Sequence, residues 1–311
     1  MCALPGRARP HDRRLTCATS LVLAGAATLG GLLLALAASD GGHRVADGLP
    51  LMLLLVALAF VLNWVVYVPS FLAQTERFFD LTGSLTFQLL AILALVLVED
   101  RDARTWVLAM MVLLWALRLG VFLFRRVTKA GKDGRFDELK QDWRRFLLVW
   151  TVQGLWVTFA AGAALAAITS GTRESLGVLG YAGIAVWLLG FGVEAVADAQ
   201  KSAFRADPAN EGDFIQSGLW SISRHPNYVG EILLWTGVAL VALPALSGWQ
   251  HVTLVSPGLI YLLLRFGSGV PALERRADER WGGRSDYEAY TARTPVLFPL
   301  GSRCRRSRPV Q

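Results

Sequence analysis

LPLMLLLVALAFVLNWVVYVPSFLA, residues 49–73, is the stretch on which the fold turns. It holds no charged side chain, and Asn63 is its one carboxamide. About 20 apolar residues in an α-helix cross roughly 30 Å of hydrocarbon. The run is long enough to span a bilayer, and it lacks the strict alternation of a half-buried strand.

Seven further stretches read the same way: 16–39, 82–98, 105–124, 146–169, 176–197, 228–246 and 252–270. The expected fold class is therefore all-α, a polytopic bundle of about eight transmembrane helices. A count of seven stays open, because 82–98 is short and 252–270 carries Pro257, Arg265 and glycines. Of 311 residues, 54% are hydrophobic and 18% charged, a balance unlike that of a soluble domain. Residues 1–15 and 300–311 read as basic tails, and 16–299 as one membrane domain without an internal repeat. Ala35-Leu36-Ala37 imitates a signal-peptide cleavage site, but the length of its apolar run favours a retained span.

Charge placement supports the count independently. Lys and Arg gather in short cytoplasmic loops. With both termini cytoplasmic, 25 of the 31 basic residues fall inside, and only Arg44, Arg101, Arg104 and Arg173 fall outside. The two left over, Arg118 and Arg265, lie within spans. The net charge of +7 then reflects topology and an anionic lipid surface, and it calls for no nucleic acid. The spacing of Cys2, Cys17 and Cys304 matches neither a metal site nor a disulfide framework, so no metal is expected. An alanine-, leucine- and arginine-rich composition points to a bacterial plasma membrane. No feature speaks to oligomeric state.

Three cytoplasmic segments, 125–145, 198–227 and 271–299, have the length to build a site on one side of the membrane. The sharpest pattern is Gly218-Leu219-Trp220-Ser221-Ile222-Ser223-Arg224-His225-Pro226-Asn227-Tyr228-Val229-Gly230-Glu231. Pro226 suits a first helical turn and Ser223 a cap before it. Free N–H groups at such an end attract anions, and Arg224 and His225 add donors. Asn227 and Glu231, four apart, share a helix face and can take hydroxyl or amide groups. A plain capped helix with a basic flank explains the same residues.

Upstream, Glu194, Asp198, Lys201 and Arg205 fall at offsets that draw one stripe down a helix leaving the membrane. It is either a site wall or a solvated stripe with internal salt bridges. Gly131-Lys132-Asp133-Gly134-Arg135-Phe136-Asp137 is a turn or an ordinary loop. The segment from Glu274 to Pro299, with Trp281, Tyr287, Tyr290 and Thr294, is either a lid over the site or an interfacial piece. Asn63, Gln88, Arg118 and Gln153 are polar groups at membrane depth, Arg118 able to snorkel or pair with a helix end. Asp80, before Leu81-Thr82-Gly83, has helix capping as its simplest explanation. Trp64, Trp106 and Trp249 fit an interfacial belt.

Gly218-Leu219-Trp220, Ser223 to Tyr228, Gly230-Glu231 and Trp235 together resemble the signature of the DUF1295 family, which is related to the C-terminal domain of steroid 5-alpha-reductases. The likeness extends to Glu76 through Thr86, Arg118-Leu119-Gly120, Gly131 to Phe136, Ala197-Asp198-Ala199-Gln200, Phe204-Arg205, Ser268-Gly269 with Glu274, and Tyr287 to Pro299, about residues 55–300. It implies a membrane-embedded reductase that takes NADPH on the cytoplasmic side and delivers hydride to the β carbon of an enone in a lipophilic substrate. By the same resemblance Asn227, Glu231, Asp198, Arg205 and Tyr287 contact the cofactor. Arg118, Glu194, Arg224, His225, Tyr228 and Glu274 complete the expected cofactor set. Asp80, Glu76 and Tyr67 are the catalytic candidates.

There are departures: the steroid enzymes have an Ala-Asn type motif at His225-Pro226-Asn227, and their ketone-gripping Glu and Tyr have no direct match here. The Arg-His-Pro-x-Tyr run followed by Gly-Glu also resembles membrane methyltransferases of the isoprenylcysteine and phospholipid type, which use S-adenosylmethionine. A non-catalytic or transport role is the third reading.

Overall fold

The computed structural model describes residues 10–130, 134–267 and 269–298. It is all-α, and the chain is an integral membrane protein: among the described residues, eight helical stretches are long and apolar enough to cross a bilayer. The helices are α1 Pro10–Ala38, α2 Leu51–Leu72, α3 Phe79–Leu97, α4 Ala103–Ala130, α5 Trp143–Thr169, α6 Gly177–Ala206, α7 Pro226–Ala242, α8 Ser256–Phe266, α9 Val270–Trp281 and α10 Ser285–Arg293. The eighth stretch, Gly248–Trp281, is the irregular one. It runs as a 3-10 segment Gly248–Val255, then α8, then α9, with Gly267 and Gly269 between the two helices and a proline in the first turn of each. Ala35-Leu36-Ala37 lies inside α1. Residues 10–15, expected as part of the basic N-terminal tail, are instead the first turns of α1; residues 1–9, 131–133, Ser268 and 299–311 lie outside the described residues.

Many polar side chains in the spans donate hydrogen bonds within their own helix or to a neighbouring one, as hydrocarbon favours. Thr28, Thr82, Thr86, Thr158, Thr169 and Thr236 each donate to the carbonyl four residues earlier. Asn63 donates to Ala59 O at 2.8 Å, Gln88 to Ser84 Oγ at 3.1 Å and Gln153 to Phe79 O at 2.8 Å. Trp64 donates its N–H to Thr151 Oγ1 at 3.0 Å, tying α2 to α5. Trp106 and Trp249 are exposed, as a belt requires.

The chain forms two compact units, Met1–Gly177 with Ala242–Leu254, and Val178–Val241 with Val255–Gln311. The first centres on α5, whose small residues let α1, α2 and α3 approach. A Cβ on Gly154 would lie 2.9 Å from the Phe60 ring, so only glycine fits there. Its four basic residues expected on the far side cap chain ends. Arg44 donates to Gly48 O, Arg101 to Leu95 O and Val96 O, Arg104 to the carbonyls of Glu174, Ser175 and Leu176, and Arg173 to Asp100 O and Ser170 O. Helix C-termini leave free carbonyls that cations complement.

In the second unit α6 and α7 cross at glycines. Gly183 faces Gly237 and Gly190 faces Gly230, each pair close enough that a Cβ would meet the partner's carbonyl oxygen at 2.6–2.7 Å. The seven-residue spacing within each helix puts both glycines on one face. This crossing carries Glu194 of α6 alongside Gly230 of α7.

Candidate functional site

The start of α7 organises the second unit. Pro226 opens the helix, as expected of a first-turn proline, and Ser223 Oγ accepts the N–H of His225, the residue just before it, at 3.2 Å. Glu274, from α9, bridges both basic residues before it. Its Oε2 lies 2.5 Å from Arg224 Nη1 and its Oε1 lies 2.8 Å from His225 Nε2. The His225 ring stacks on Tyr228 at 5.6 Å. Burial lowers the His225 pKa, opposed by the hydrogen bond to Glu274, so the ring is held neutral.

Residues 287–297 close over this segment. The Arg224 N–H donates to Pro295 O at 2.9 Å, Ser223 Oγ to Val296 O at 3.4 Å, and Tyr290 Oη to Trp220 O at 2.7 Å. Of the two readings for Glu274–Pro299, the cover is the one the contacts favour. The Tyr287 hydroxyl donates to Asp278 at 3.0 Å and its ring meets Phe214 edge-on. Burial raises the Tyr287 pKa, helped by Asp278, and pushes that of Tyr290 up to about 12, so both phenols stay protonated. Tyr287 thus lies in an aromatic cluster, with its hydroxyl already engaged by α9.

The stripe on α6 is a solvated face only at its far end. Glu194 and Asp198 are buried, Lys201 is half-buried with its ammonium 4.2 Å over the Trp220 ring, and Arg205 is exposed. Trp220 in turn donates to Ala197 O at 3.1 Å, and Gln200 accepts the Leu219 N–H at 3.0 Å. Gly218 sits at φ +59°, where a side chain would collide with Gln200, which explains the glycine before Leu219-Trp220. Asn227 and Glu231 are half-buried on the first turns of α7.

The structure therefore gathers Glu194, Asp198, Arg205, Arg224, His225, Asn227, Tyr228, Glu231, Glu274 and Tyr287 in one unit. It also brings in Lys201 of the α6 stripe, over the Trp220 ring, and Thr294 of the C-terminal segment, neither of them among the expected cofactor contacts. Among the described residues, three buried polar atoms at the α7 start and in the segment over it have no hydrogen-bond partner: Arg224 Nε, His225 Nδ1 and Thr294 Oγ1. Buried polar atoms are nearly always paired, so three around one helix start fit a polar ligand. No metal-binding cluster occurs among the described residues.

Arg118 and the three catalytic candidates belong to the first unit. Asp80 lies in the first turn of α3, two residues past the N-cap residue Phe78, so it does not occupy the N-cap position. Its carboxylate faces the positive helix end and stands 3.7 Å from Arg126. Glu76 is buried and bound to Lys140 Nζ at 2.7 Å, a hydrogen bond that raises the Lys140 pKa. The Tyr67 hydroxyl donates to Trp143 O at 2.9 Å. Beside them Phe136, Phe146 and Trp150 form an aromatic core, so the end of the loop containing Gly131–Asp137 is anchored by packing.

A family model described as "Protein of unknown function (DUF1295)" matches residues 66–294. No curated protein and no solved structure matches the chain.

Proposed function

We propose, from the premise that this chain belongs to the DUF1295 family, that it is a membrane-embedded NADPH-dependent reductase of an activated C=C bond in a lipophilic, steroid-, isoprenoid- or lipid-like substrate. The observation that carries the reading is the start of α7, where Arg224 and His225 stand at a helix N-terminus among buried polar atoms that lack partners. In this reading Arg224 and Arg205 hold phosphates, and Asn227 and Glu231 hold hydroxyl or carboxamide groups. When bound, NADPH supplies the hydride. Asp80 is the first choice for the proton source, ahead of Glu76 and Tyr67, because Lys140 already holds Glu76 as its ion-pair partner. The resemblance to steroid 5-alpha-reductases supports the reaction class. The charge bias supports a bacterial plasma-membrane orientation with both termini cytoplasmic.

One observation favours a second reading. Arg224 and Glu274 set opposite charges side by side. That pair complements the carboxylate and ammonium of an amino acid, as S-adenosylmethionine would present them to a methyltransferase. The deciding measurement is the thermal stability of the detergent-purified protein with NADPH, NADH and S-adenosylmethionine. A ligand that binds only the folded chain raises its melting temperature. The reductase reading expects the largest rise with NADPH. A rise with S-adenosylmethionine alone replaces it by the methyltransferase.

A further inference from the structure

We infer that Glu274 is a positioning residue that fixes the tautomer of His225, and that the bare Nδ1 so produced is the acceptor for a hydroxyl or amide donor on the bound nucleotide. The tautomer half stands on geometry alone, and the ligand half rests on the cofactor reading above.

A carboxylate accepts hydrogen bonds and donates none. Glu274 Oε1 lies 2.8 Å from His225 Nε2, so Nε2 carries the hydrogen. A neutral imidazole has one N–H, and Nδ1 is therefore an acceptor. His225 is 5% exposed, which disfavours a second proton on the ring. The groups that face it are Glu274, Arg224 and Lys201, with the Tyr228 ring stacked alongside. Nδ1 is buried and has no partner among the described residues. A buried acceptor in that state costs free energy until a donor arrives.

Its place narrows what the donor is. His225 directly precedes the first residue of α7, and Arg224 precedes His225. A ligand whose anion lies against the helix start and Arg224 brings its neighbouring groups to His225. The site therefore recognises an anion joined to a neutral donor, as a phosphorylated ribose or a nicotinamide nucleotide is, over a bare anion. It also assigns His225 no role as proton source, because its neutral ring has no hydrogen at the free nitrogen.

The tautomer is read by nitrogen NMR of the ligand-free full chain with labelled imidazoles. Only four histidines are present, and the signals lost in His225→Gln identify the one in question. The expected spectrum has the hydrogen on Nε2 and an unprotonated Nδ1. Glu274→Ala should give a mixture of tautomers, and Glu274→Gln, whose Oε1 still accepts, should keep the wild-type form. Hydrogen on Nδ1 in the wild type overturns the inference, as does an unchanged tautomer in Glu274→Ala.

Added NADPH should move the Nδ1 resonance towards that of a hydrogen-bonded acceptor. His225→Phe, which keeps a ring and removes the acceptor, should weaken NADPH binding about tenfold, or about 1.4 kcal/mol. The same change should leave inorganic pyrophosphate binding within about twofold. NADPH that raises the melting temperature without moving Nδ1 sinks this assignment and leaves the cofactor reading standing. NADPH that does neither sinks the cofactor reading, and the ligand half of this assignment falls with it.

Discussion

Gly190 of α6 and Gly230 of α7 leave no room for a methyl group between them: a Cβ on Gly230 would lie 2.6 Å from the Gly190 carbonyl oxygen, and one on Gly190 would lie 2.7 Å from that of Gly230. The contact is backbone against backbone, so neither neighbour can rotate away. It also sets the depth at which Glu194 and the first turns of α7 meet.

Substitution at this crossing is accordingly expected to separate the helices. Gly230→Ala and Gly190→Ala should each cost about 1–3 kcal/mol, the range for overpacking a dense contact. Gly192→Ala on the same helix, where a Cβ meets nothing, should be neutral or slightly stabilising. Thermal unfolding in detergent compares the three. Equal melting temperatures for Gly230→Ala and Gly192→Ala would refute the close crossing.

A second expectation concerns pH. The folded His225 has a lowered pKa, so between its unfolded and folded values the unfolded chain binds the extra proton. Its stabilising effect is complete above the unfolded value of about 6.5 and is lost as pH falls through the folded value. The melting temperature should drop as pH is lowered from about 7 to 5. His225→Gln should flatten part of that slope, and an equal slope in the variant would exclude His225 as its source.

Binding of the proposed cofactor should be salt-sensitive. Arg205→Ala and Arg224→Ala should each weaken NADPH by about 1.5–3 kcal/mol, as for hydrogen bonds to charged groups. The exposed Arg205 should lose more of its effect at high salt than the half-buried Arg224. Titration at two ionic strengths measures both, and wild-type affinity in both variants would return the α7 start to a plain capped helix.

Turnover separates the acidic candidates. With a lipophilic enone and NADPH, Asp80→Asn should slow loss of the reduced-nicotinamide absorbance while leaving NADPH affinity unchanged. Glu76→Gln removes the charge that holds Lys140 and should act mainly on stability. Wild-type turnover in Asp80→Asn would remove it as the proton source.

Orientation is tested by reporter fusions. Positions at Arg44, Arg101 and Arg173 should report outside, and those at Lys140 and Arg284 inside. A fusion at Lys140 reporting outside would break the alternation.

The sequence alone determined the spans, because about 20 apolar residues in hydrocarbon have no alternative to a helix that bonds its own backbone. Residues 49–73 announced α2, Ser223 and Pro226 marked the start of α7, and the glycines near Pro257 marked the broken last stretch. These are local effects, decided within a turn or two of chain.

Tertiary structure decided what the polar residues do. Asp80 reads as a cap until α4 brings Arg126 to it, and no local pattern links Glu76 to Lys140, 64 residues away. The α6 stripe reads as a site wall or a solvated face until α7 meets it at glycines beside Glu194, and both Glu194 and Asp198 prove buried. Glu274 meets His225 across 49 residues, and no spacing rule links them. A charge is placed by its nearest opposite charge and by what excludes water from it, and in this chain both come from segments far apart in sequence.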